Sequence, residues 1–195
     1  MDTNTTTIDL LMHQVQAGEK LALDGLYEAM SPGLFACLRR MGCNPDDAAD
    51  LLQTTFLKVW QFRQQYRGQQ AKAWIYKIAL NSWRDFYTGS PHWQETVYEE
   101  STDYREDRQT CPETVLNAER LAASLQEALM RLPVVLREAV VLSRFSGLGI
   151  REMAALLGTT ESNIKVRIHR GLVLLKQSLV DSETTYPVRS GDKHD

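Results

Sequence analysis

The stretch GLGIREMAALLGTTESNIKVRIHRG, residues 147–171, constrains the fold more tightly than any other part of the chain. Counted from Ile150, Ala154 is fifth, Gly158 ninth and Ile164 fifteenth. A helix-turn-helix needs a small residue, a turn glycine and an apolar anchor at those places. The small residue lets the helices approach, and the glycine takes the backbone round the turn with no Cβ penalty. Thr160 is placed to cap the second helix. Ile164, Ile168, Leu172 and Leu175 form the stripe expected to be buried. Asn163, Lys165, Val166, Arg167, His169 and Arg170 are expected to face outward. They offer donors to phosphates and base edges, and Val166 offers a methyl contact for thymine. An ordinary basic amphipathic helix has no need of this small–glycine–apolar spacing, so the pattern points to duplex DNA.

Helical periodicity continues through almost the whole chain, with no convincing alternating strand. Helices are predicted over 8–17, 20–30, 32–41, 45–66 and 71–87, with a break at Gly68. After an acidic, breaker-rich stretch, further helices are predicted over 115–131, 133–145, 150–157 and 161–179. The fold class expected is all-α. Residues 1–89 and 115–181 form two small helical domains, the second a helix-turn-helix. A linker over 90–114 joins them, and a fraying tail covers 182–195.

The net charge of −3 argues against indiscriminate nucleic-acid binding, but it conceals an uneven distribution. Residues 58–84 carry Lys58, Arg63, Arg67, Lys72, Lys77 and Arg84 without an acid. Residues 163–176 carry Lys165, Arg167, Arg170 and Lys176, also without an acid. Eight acids against two bases fall in residues 94–119 between them. Two basic surfaces with an acidic spacer suit one polyanion gripped twice. Neither the cysteines (Cys37, Cys43, Cys111) nor the four histidines have metal-ligand spacing. No phosphate loop or nucleophile motif is present, so neither an enzyme nor a cofactor is expected. The N-terminus lacks a signal-peptide pattern and no apolar run approaches a membrane span, so a cytoplasmic location is expected.

Two N-terminal stretches complete the constellation. DAADLLQTTFLKVW, residues 47–60, is amphipathic, with Leu52, Phe56 and Val59 on its buried side. Asp47, Asp50, Thr54 and Lys58 are expected opposite them, with Leu51 and Leu57 at the edges. YRGQQAKAWIYKIALNSWRDFY, residues 66–87, interleaves Tyr76, Lys77, Trp83, Arg84 and Tyr87. Bases that hold a backbone and aromatics that stack on unpaired nucleobases suit single-strand capture. Packed aromatics with solvated bases are the plainer reading of the same residues.

Taken together, the three stretches resemble the bacterial extracytoplasmic-function (ECF) sigma factors over roughly residues 20–180. The family pattern D-A-E-D-L-V-Q-E-x-F-x-x-V-W is met by DAADLLQTTFLKVW, and F-R-A-W-L-Y-R-I-A-R-N by AKAWIYKIALN. The second domain matches through LPVVLREAVVL, GLGIREMAALLG and NIKVRIHRGL. The resemblance implies an alternative sigma factor whose partners are core RNA polymerase and promoter DNA. It further implies that Asp47, Asp50, Leu51, Gln53, Thr54 and Leu57 lie on the polymerase-docking helix, with Phe56 supporting it from the core. Gly68, Gln69, Gln70 and Lys72 would form the loop that captures a minus-ten base, and Lys77, Asn81 and Arg84 the minus-ten helix. Asn163, Lys165, Val166, Arg167 and Arg170 would read the minus-thirty-five element. An anti-sigma factor is a further candidate partner. The rival reading is a helix-turn-helix regulator that is not a polymerase subunit.

Some positions depart from the family pattern. Ala71 replaces a frequent phenylalanine, Val166 a common serine, and Gly171-Leu172 a common Ala-Arg. Ala49 and Thr54 stand where relatives commonly carry acids. The lost charge weakens complementarity to a basic partner. A Ser/Thr kinase acting on Thr54 would restore it, since a phosphate adds about −1.5 to −2 charges at pH 7.

Overall fold

The computed structural model describes residues 3–68, 70–88 and 113–184. Gln69, Cys111, most of the expected linker and residues 185–195 lie outside the described residues. Within them the chain is helical, with no strand. The helices are α1 (Thr3–Ala17), α2 (Lys20–Arg40), α3 (Pro45–Gln61), α4 (Ala71–Thr88), α5 (Glu113–Arg131), α6 (Val134–Phe145), α7 (Ile150–Leu156) and α8 (Glu161–Thr184). A short 3₁₀ turn, Arg63–Gln65, ends the run expected to continue to Tyr66.

Local chemistry sets several boundaries. The Asn44 side chain accepts from the Asp47 amide at 2.8 Å, and Pro45 opens α3 with two acids in its first turn. Thr160 caps α8 as expected, its hydroxyl accepting from the Asn163 amide at 3.2 Å. Gly158 adopts φ +62° in the turn between α7 and α8, a conformation that disfavours any Cβ.

The expected break at Ser31-Pro32 does not occur, and α2 runs straight through it. Ala22, Leu26, Met30, Leu34 and Leu38 make one buried stripe along α2. Tertiary packing of that stripe outweighs the lost hydrogen bond at Pro32, which is exposed.

Helices α1–α4 pack together, as do α5–α8, and the two sets also pack on each other through α2 with α6 and α4 with α7. One apolar cluster runs from Ile8 and Leu26 through Tyr76 and Trp83 to Leu142, Ile164 and Leu175. The two halves expected from the sequence therefore share a continuous core.

Candidate docking surface and nucleic-acid interface

On α3 the buried side is Ala48, Leu51, Leu52, Thr55, Phe56 and Val59. Asp46, Ala49, Asp50, Gln53, Leu57 and Gln61 form the solvent stripe. Leu57, expected at the edge of the open face, instead lies on the stripe itself at 65% exposure, with Gln53 and Asp50 one and two turns before it. Leu51 is a correction: at 5% exposure it belongs to the core rather than to the open face. Lys58 also turns aside, donating to the Ser82 hydroxyl on α4 at 2.9 Å. Asp47 and Thr54 lie half-buried along the margins. Thr55 is buried and donates to the Leu51 carbonyl at 2.7 Å, so its hydroxyl is closed to modification. Asp46 and Gln61 were missed by the sequence reading, as was Tyr27 of α2. The Tyr27 ring sits 4.9 Å from that of Phe56 and remains partly exposed.

Helix α4 divides the expected minus-ten residues between two faces. Lys77 and Asn81 are exposed one turn apart. Arg84, next on the same stripe, is held by the second half of the molecule: its guanidinium meets the Glu138 carboxylate of α6 at 2.7 Å. Glu138 is 4% exposed and Arg84 39%. Burial pushes the Glu138 carboxyl up, while Arg84 pulls it back. Lys72 points the other way, toward Gly147, where a Cβ would lie 2.7 Å from its Nζ.

The interleaved aromatics of α4 follow the plainer of the two readings. Tyr76 and Trp83 are buried, and the Tyr76 hydroxyl donates to the Phe145 carbonyl at 3.2 Å. The Tyr87 hydroxyl donates to the Gly42 carbonyl at 2.8 Å. These rings build the core instead of a stacking platform, because α4 is covered on both sides by α3 and α7.

Ahead of α4, the candidate capture loop is held from α1. One Asp9 carboxylate oxygen accepts from the Tyr66 hydroxyl at 3.1 Å and from the Ala71 amide at 2.7 Å. Gln16 donates to the Tyr66 carbonyl at 2.7 Å. Gln70 stands at φ 65°, a conformation uncommon for a residue with a side chain. Nothing in the spacing of α1 announced these contacts.

On α8, Asn163, Lys165, Val166 and Arg170 are exposed together, with Arg167 half-buried. Asn163 also donates to the Thr159 hydroxyl at 2.8 Å, which fixes its side chain at the start of the helix. Ile164 is buried as expected, but Leu172 is 48% exposed. Gly171 takes the core position instead, because a Cβ there would lie 2.5 Å from Val140 Cγ2. Further back, Arg137 of α6 spans the halves, donating to the carbonyls of Met41 (3.3 Å), Met130 (2.7 Å) and Leu132 (3.2 Å). No cluster of metal-ligating side chains occurs among the described residues, and no described helix is long and apolar enough to cross a membrane.

Comparison with known proteins places these surfaces in a family context. The family model for Sigma-70 region 2 matches residues 26–90, and that for Sigma-70, region 4 matches residues 122–175. The RNA polymerase sigma factor CarQ of Myxococcus xanthus is 32% identical over 173 residues, covering 88% of this chain and 97% of its own length. The ECF RNA polymerase sigma factor SigE of Mycolicibacterium smegmatis is 32% identical over 163 residues. That match covers 83% of this chain and spans only 63% of SigE. Among solved structures, CnrH in complex with the cytosolic domain of CnrY superposes with a TM-score of 0.67 at 24% identity, covering 90% of this chain and 98% of that one. RpoE in complex with the anti-sigma factor NepR from Bartonella quintana superposes at 0.59, also with 24% identity, over 77% and 91% of the two chains. Both likenesses are of fold.

Proposed function

Because the chain belongs to the sigma-70 family of RNA polymerase sigma factors, in its extracytoplasmic-function branch, we propose that it binds core RNA polymerase and directs promoter-specific initiation. The observation that carries this reading is the ordered presence of both matches in one chain, region 2 over 26–90 and region 4 over 122–175. A regulator working apart from polymerase needs only the second. We assign residues 1–89 to polymerase docking and the minus-ten element, and 115–181 to the minus-thirty-five element. The docking face is Asp47, Asp50, Gln53 and Leu57. Lys77, Asn81 and a released Arg84 hold the minus-ten strand, and Asn163, Lys165, Val166, Arg167 and Arg170 enter the major groove. By analogy with RpoE, whose structure holds an anti-sigma factor, a protein antagonist of that kind belongs to the proposal.

Promoter geometry adds a requirement. Elements about 25 base pairs apart lie roughly 85 Å apart at ~3.4 Å per base pair. A closed body of this chain length is only about 40 Å across. The halves must therefore part before both elements are held, which breaks the Arg84–Glu138 pair.

In vitro transcription with core polymerase on a genomic library tests the assignment. Discrete start sites are expected with the wild-type chain, and their loss with Asp50→Arg while duplex binding by the helix-turn-helix persists. Identical transcripts with and without the chain would overturn the assignment, and a core-polymerase pull-down undisturbed by Asp50→Arg would favour the regulator.

Control by phosphorylation of Thr54 completes the proposal. The side chain lies at the margin of the α3 face, one turn from exposed Asp50. A phosphate there restores negative charge against a basic partner. Kinase-treated wild type and Thr54→Glu should bind core polymerase more tightly than untreated wild type, and Thr54→Ala should gain nothing from the kinase. Equal binding by all of them would remove Thr54 from the account.

A further inference from the structure

All of α1 precedes the residues matched by either family model, and its first visible task is to cover the core with Ile8, Met12 and Val15. Its polar side does something more specific. Asp9 closes the turn between Tyr66 and Ala71 at both ends with one carboxylate oxygen, at 3.1 Å and 2.7 Å. Gln16 fixes the Tyr66 carbonyl from the next turns of α1, and the Gln64 side chain returns a hydrogen bond to the Gln16 carbonyl at 2.8 Å. His13, between them, places its ring 5.8 Å from that of Tyr66, and its Cε1 3.2 Å from where a Gly68 Cβ would stand.

Two physical consequences follow. A carboxylate at the first amide of α4 is favoured by the helix dipole. Pinning both ends of a short turn also removes conformations that would otherwise be lost on ligand binding. Gln70, with its left-handed backbone at φ 65°, lies between these anchors.

We propose that α1, through Asp9 with support from Gln16, is a positioning element for the loop that captures an unpaired minus-ten base. Asp9 acts through Tyr66 and Ala71 and does not touch the nucleic acid. It sets the shape of the turn and so the selectivity among bases. This deepens the sigma-factor reading and rests on it.

The test uses the full chain assembled with core polymerase. The probe is a single-stranded oligonucleotide carrying the minus-ten element of a promoter that the wild type transcribes, with each of the four bases at the captured position. Asp9→Ala is expected to weaken binding of the preferred oligonucleotide about tenfold, the scale of one hydrogen bond to a charged group. It should also flatten discrimination among the four bases. Affinity for core polymerase and for minus-thirty-five duplex should stay at wild-type values. Asp9→Asn keeps an acceptor oxygen and should retain most of the selectivity. Wild-type selectivity in Asp9→Ala would overturn the proposal, and so would a parallel loss of core binding, which marks a merely structural role. Either result with an actively transcribing wild type leaves the sigma assignment standing. A wild type that directs no transcription removes both.

Discussion

At Gly171, α8 passes so close to α6 that there is no room for a methyl group. Alanine would gain about 1 kcal/mol of helix propensity. It would also meet Val140 Cγ2 at 2.5 Å, and a β-branched side chain on a helix has one preferred rotamer and little freedom to yield. Overpacking of this kind costs about 1–3 kcal/mol. Gly171→Ala should therefore lower stability by about 1 kcal/mol in urea denaturation. Combining it with Val140→Ala should recover about as much relative to the sum of the single changes, a coupling that a double-mutant cycle reads directly. The sequence shows this glycine only as a departure from a common pattern. Its reason lies on another helix, at Val140, and no local spacing carries that information.

At the scale of a helix, α2 and α3 show what periodicity can and cannot deliver. The period of α3 is plain in the sequence, and so is most of its open stripe. Its rotation against the neighbours is not, which is why Leu51 and Lys58 were turned the wrong way. Leu51→Ala should cost about 2–5 kcal/mol as a core truncation. Leu57→Arg should change stability by no more than about 0.5 kcal/mol while weakening capture of core polymerase in a pull-down. For α2, Ser31-Pro32-Gly33 has the composition of a turn yet serves as a contact. Pro32 faces solvent, and a Cβ on Gly33 would lie 2.8 Å from the Tyr76 hydroxyl oxygen. Pro32→Ala should raise the melting temperature by the equivalent of about 1–3 kcal/mol. The helix-turn-helix was legible almost completely, because its spacing requirements are local. The anchors from α1 to the turn between Tyr66 and Ala71 were not, since they join residues 50 or more apart in sequence.

The whole molecule is governed by the contact between its halves. Removing Arg84 takes the hydrogen-bonded cation from a buried carboxylate and leaves only the weaker pull of Arg167 and Arg137, so Arg84→Ala should destabilise the closed form by roughly 2 kcal/mol. That is less than the ~3–5 kcal/mol of a fully buried pair, since solvent already reaches the guanidinium. Small-angle scattering should register a larger radius of gyration for this variant. The pH dependence has a defined sign. Burial raises the Glu138 carboxyl above its ordinary value despite Arg84, Arg167 and Arg137, so the closed form binds a proton more tightly than a form in which Glu138 meets water. The resulting stabilisation is fully present below the ordinary glutamate pKa of about 4.3 and is lost as pH rises through the raised value. Scattering across that window should show a wild-type trend toward compactness on acidification that Glu138→Gln lacks.

The Arg84–Glu138 pair also affects how promoter binding should respond to ions. Each phosphate neutralised by a protein cation releases condensed counterions and adds about −0.7 to −0.9 to the logarithmic salt slope. In the closed form, Arg84 has already exchanged the phosphate for an internal carboxylate. In the promoter complex proposed above, opening gains that contact but also breaks an ion pair that salt itself loosens. Added salt then opposes the DNA contact and assists the opening, and the two contributions partly cancel. The apparent number of phosphates counted from a salt titration should fall short of the cations that line the bound strand.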